Sequence, residues 1–148
     1  MEYQLNLKGV LALSIGALIA IATAVAHLSC IFLGPSCYQA QMAPPEIVQS
    51  ATEGTLLAPM ATLIISFLFL VCAVFAMSGA GFIKKLPFIE PVLATISGLS
   101  LLRGLATIPS SYAFPEMVSA FSITAGLIWF VAGLLYFYGF RSLRQPSS

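Results

Sequence analysis

Seven residues hold most of this chain's capacity for chemistry: Arg103, His27, Glu53, Glu116 and Ser100, and the thiols Cys30 and Cys37. Arg103 lies in the apolar string Ser100-Leu101-Leu102-Arg103-Gly104-Leu105. A guanidinium at the centre of a membrane helix costs roughly 2.5–3.5 kcal/mol to insert, so it needs a partner or an exit. Three uses stay open. In the first, Arg103 holds an anionic or carbonyl-bearing ligand in a small outward-facing polar pocket, with His27 as hydrogen-bond partner and Ser100, Glu53 and Glu116 around it. In the second, it pairs with Glu53, Glu116 or helix-end carbonyls and fixes the fold. In the third, its long side chain snorkels to the outer headgroups.

His27 has Cys30 as its only nearby ligand group, and one His-x-x-Cys pair cannot close a metal site. No metal and no cofactor is therefore expected. Cys30 and Cys37, seven positions apart across Gly34-Pro35, allow a disulfide if that end faces an oxidising compartment. Thiol-exchange catalysis would call for a Cys-x-x-Cys pair, which the chain lacks. Cys72 reads as a small buried apolar residue. With no Asp, one His, and neither a phosphate loop nor a paired-carboxylate motif, an enzyme is the least supported class.

The elements that must position these residues are apolar. Charged residues make up 7% of the 148 and the mean hydropathy is +1.01, so the chain reads as an integral membrane protein. A hydrocarbon core of about 30 Å needs roughly 20 apolar residues per helix. Segments near 9–33, 55–78, 88–108 and 116–140 qualify, and continuous rather than alternating apolarity selects helices over a barrel. The expectation is an all-α membrane fold: one antiparallel four-transmembrane-helix bundle over residues 1–148. The first span exceeds the usual signal-peptide core of about 7–15 residues and is read as a retained anchor.

Pro35 after Gly34 stops the first helix, Thr55 caps the second, Pro109 ends the third, and Pro115-Glu116 opens the fourth. Within the 34–54 connection, Pro44 to Glu53 reads as a short interfacial helix, with a solvated loop as the alternative.

Lys8, Lys84, Lys85, Arg141 and Arg144 flank one set of helix ends, whereas 34–54 and 109–115 contain no Lys or Arg. Positive-inside bias then puts both termini and the 79–87 turn in the cytoplasm. A net charge of +1 gives no reason to expect a nucleic-acid partner. Arg103 falls about 7 Å, and His27 about 9 Å, outward of the midpoints of their helices, a shared depth.

Small and hydroxylated residues mark packing faces in membranes. The stripes are Gly16, Ala20, Ala24 and His27; Thr55, Pro59, Thr62, Ser66, Ala73 and Ala76; Ser97, Ser100, Gly104 and Thr107; and Ser119, Ser122, Gly126, Trp129 and Gly133. Tyr136, Phe137 and Tyr138 suit a cytoplasmic aromatic belt.

The strings Ala26 to Gly34, Gly54 to Pro59, Ala76 to Pro87 and Leu101 to Leu105 resemble a group of bacterial four-helix integral membrane proteins of unknown function. The resemblance covers most of the chain. It implies a bacterial inner membrane, puts His27 and Arg103 inside shared motifs, and transfers no activity. Small multidrug exporters match less well, since no glutamate falls between Glu2 and Glu46. The expected function is non-enzymatic: an outer-leaflet pocket taking a lipid-like or small anionic ligand or a partner helix. Alternatives are a dimeric small-molecule transporter and an accessory subunit of a membrane complex. The partners are the lipid bilayer and either a second copy or another membrane protein.

Overall fold

The computed structural model describes residues 6–115 and 118–143, all of whose regular elements are helices. These are α1 (Leu7–Leu33), α2 (Pro35–Ala40), α3 (Pro45–Glu53), α4 (Leu57–Gly79), α5 (Ile89–Ala113) and α6 (Ala120–Ser142). Helices α1, α4, α5 and α6 are long and apolar enough to cross a membrane. At 1.5 Å per residue even the shortest extends about 35 Å, more than the hydrocarbon core needs.

Three helix ends differ from the sequence expectation. Helix α5 runs through Pro109 to Ala113. Proline has no N–H, so the Leu105 carbonyl one turn before Pro109 loses its helical donor. The hydroxyls around it bond other carbonyls of the helix: Ser111 Oγ donates to the Thr107 carbonyl at 2.7 Å and Thr107 Oγ1 to the Arg103 carbonyl at 3.4 Å. Ser50, not Thr55, caps α4: its Oγ accepts the Ala58 amide at 2.8 Å and hydrogen-bonds Thr55 Oγ1 at 2.7 Å. Helix α6 starts at Ala120, where Ser119 and Ser122 form a reciprocal capping box. Glu116, expected to open that helix, lies outside the described residues.

The chain forms two compact units, one of Met1–Ile19 with Cys72–Ser148 and the other of Ala20–Val71. In the first, α5 and α6 meet along glycines. A Cβ built on Gly104 would come within 2.7 Å of the Phe130 amide nitrogen, and one on Gly133 within 2.8 Å of the Leu101 nitrogen. Ser97 Oγ donates to the Gly133 carbonyl at 2.9 Å across the same seam. Tyr136 is not a belt residue: it is 3% exposed, and its hydroxyl reaches the carbonyls of Gly16 at 3.3 Å and Cys72 at 3.4 Å. Tyrosine suits both roles, because an apolar ring with a polar tip is stable either at an interface or buried beside an acceptor.

In the second unit the small residues again face inward. Ala20, Ala24, Ala58, Thr62 and Ser66 are buried, and Ser66 Oγ donates to the Ala24 carbonyl at 3.3 Å. The 34–54 connection folds into α2 and α3. Proline begins each of them, its fixed φ suiting the first helical position. Ile47, Val48 and Ala51 pack on a core of Cys30, Tyr38 and Ala58.

Candidate functional site

His27 belongs to the unit of Ala20–Val71. It is half-buried near the end of α1, and its ring stacks on Phe69 of α4 with centroids 5.6 Å apart and planes 8° from parallel. Gln41, just past α2, lies over the same turn of α1: its Nε2 donates to the Ala26 carbonyl at 2.8 Å. Cys30 and Cys37 are joined in a disulfide with a Cα–Cα distance of 5.1 Å. Gly34 at φ 78° makes the reversal from α1 into α2 that brings the two thiols together.

Tyr38 hydrogen-bonds Thr62 at 3.0 Å, and because Thr62 donates to the Ala58 carbonyl at 2.7 Å, Tyr38 is the donor. The outer connection is thus fastened to both long helices of its unit. Glu53 is exposed at the end of α3 and accepts a hydrogen bond from Gln49 at 2.7 Å, so its carboxylate serves its own helix.

Arg103 and Ser100 belong to the other unit. Ser100 is buried, whereas Arg103 is exposed on α5 among the exposed Leu99, Leu102 and Leu105. Because α5 continues to Ala113, Arg103 lies only about 3 Å beyond the helix midpoint rather than about 7 Å. Glu116, the proposed partner on the α6 side, lies outside the described residues.

Among the described residues there are thus two polar centres, one in each unit. The first is the His27 and Gln41 corner with the disulfide beside it, and its ring face and amide are already occupied. The second is the Arg103 face of α5. Among the described residues, no buried side-chain nitrogen or oxygen lacks a hydrogen-bond partner, and no three of His, Cys, Asp and Glu cluster together. Comparison with protein-family models, curated proteins and solved structures found no match to this chain.

Proposed function

We propose that this chain is a non-enzymatic, multi-pass protein of a bacterial inner membrane that binds an anionic, lipid-like molecule through the Arg103 face of α5. One observation carries the reading: a guanidinium exposed near the middle of a spanning helix, with leucines around it. Headgroups lie about 15 Å from the bilayer midplane, farther than an arginine extends. A charge there finds its stabilisation in a bound anion. The same exposed charge favours, as a second reading, a partner helix bringing a carboxylate, either from another protein or from a second copy.

The proposed orientation has both termini in the cytoplasm and the four long helices antiparallel. Two independent physical arguments support it. Basic residues collect at one set of helix ends. The disulfide of Cys30 and Cys37 belongs to the opposite set and persists in an oxidising compartment. Along α5 and α6, 97 meets 133, 104 meets 130 and 107 meets 126, a register that supports opposed directions for that pair.

Native mass spectrometry of gently solubilised protein, wild type beside Arg103→Met, tests the function. The expected result is an anionic molecule retained by the wild type and lost from an intact variant. A variant that unfolds while the wild type retains nothing would make Arg103 a structural residue.

A further inference from the structure

We propose that the 80–88 turn, together with Lys8 and Arg141, is a binding surface for anionic phospholipid headgroups. It lies in the unit of Met1–Ile19 and Cys72–Ser148 and is separate from the Arg103 face. Gly9 packs on Ser142, which brings Lys8 at the start of α1 beside Arg141 at the end of α6. Leu13 lies against both Gly79 and Gly139, so the turn leaving α4 springs from that same end. Among the described residues, Lys8, Lys84, Lys85 and Arg141 are exposed there, against one half-buried acid, Glu90. Lys85 and Glu90 have interactions of their own, so the case rests on Lys84, Lys8 and Arg141.

The turn is built rather than loose. Ser78, 5% exposed, accepts the Leu86 amide at 2.9 Å and donates to the Lys84 carbonyl at 3.1 Å, which fixes the backbone on both sides of Lys85. On either side of the lysines, Phe82 is 62% and Phe88 78% exposed. Phe88 holds φ 57°, a left-handed conformation that bulky side chains rarely adopt. Strained backbone that keeps a phenyl ring in the open is unfavourable in water. At the boundary of acyl chains and headgroups it is favourable, since rings enter the apolar side while adjacent cations meet phosphate. Arg141 sits with its guanidinium 5.9 Å from the Phe137 ring, a further cation at an aromatic rim. Positive charge beside exposed aromatics on a membrane-spanning chain complements an anionic headgroup rather than a soluble acidic protein.

The test titrates the solubilised full chain with phosphatidylglycerol or with phosphatidylcholine of the same acyl chains, counting bound lipids by native mass spectrometry. The wild type should retain phosphatidylglycerol in preference, and less of it as salt rises. The double variant Lys84→Gln and Arg141→Gln should weaken that retention about 30-fold, from about 1 kcal/mol per surface cation. The charge-keeping pair Lys84→Arg and Arg141→Lys should retain it. Equal binding of the two lipids by the wild type would overturn the proposal. So would undiminished preference in the glutamine variant, whose lost cations would then act only in orienting the chain during insertion.

Discussion

Gly98 and Gly104 sit on the same helix, yet alanine should act on them with opposite sign. At Gly98 a new Cβ meets nothing within 4 Å. Alanine there gains helix propensity, up to about 1 kcal/mol, because it loses less backbone freedom than glycine. At Gly104 the new Cβ falls 2.7 Å from the Phe130 nitrogen and 2.8 Å from its Cα, where ordinary contact begins at 3.4 Å. These are backbone atoms, so no rotamer change relieves the clash and α5 must move off α6 by about 0.7 Å. Overpacking of this kind costs about 1–3 kcal/mol, and the propensity gain offsets only part of it. The net loss is up to about 2 kcal/mol, and since both variants share the propensity gain they differ by the overpacking cost, about 1–3 kcal/mol. In the unfolding equilibrium that is about 5- to 150-fold. Titrating bicelle-reconstituted protein with a denaturing detergent, and following the transition by circular dichroism, reads both variants on one scale. If Gly104→Ala were as stable as Gly98→Ala, the close seam between α5 and α6 would be refuted.

Ser50→Ala should destabilise the protein by about 2 kcal/mol in the same titration, because it leaves the fully buried Ala58 amide without an acceptor. Thr55→Val, which removes only the exposed neighbour of that hydroxyl, should change stability far less. Reporter fusions at residue 148 and within 38–52 should signal cytoplasm and periplasm respectively; the reverse pattern would invert every statement about sides.

The four long helices were legible because lipid demands runs of about 20 apolar residues whatever the chemistry. So were the buried faces, since Ala20, Ala24, Ser66, Ala76, Ser97, Gly104 and Gly133 are small residues at helical spacing, and all are buried. Helix ends were less legible. Pro109 reads as a stop in water-based rules, but apolar surroundings leave the backbone no better partner than its own helix. Ser50 was hidden as a cap because it acts from a different helix, eight positions before the amide it serves.

The candidate site suffered from the same cause. His27 and Arg103 were expected at one depth, but because α5 runs on to Ala113, Arg103 lies nearer the middle of its helix than His27 does of α1, and the two residues belong to different units. Nothing in spacing revealed that the His27 ring stacks on Phe69 or that Arg103 is exposed.

The division of the chain into units also has a bearing on biogenesis. The unit of Ala20–Val71 is one uninterrupted stretch, with its disulfide and its hydrogen bonds among α1, α2, α3 and α4 contained within it. Every partner it needs has been synthesised before α5 begins. The other unit joins the first residues of the chain to nearly the last, as in Gly9 against Ser142 and Tyr136 on Gly16. Long-range closure of this kind is slower than local pairing. The beginning of α1 must therefore wait in the membrane for α6, and a chain stopped before residue 120 would carry a complete second unit and an unfinished first one.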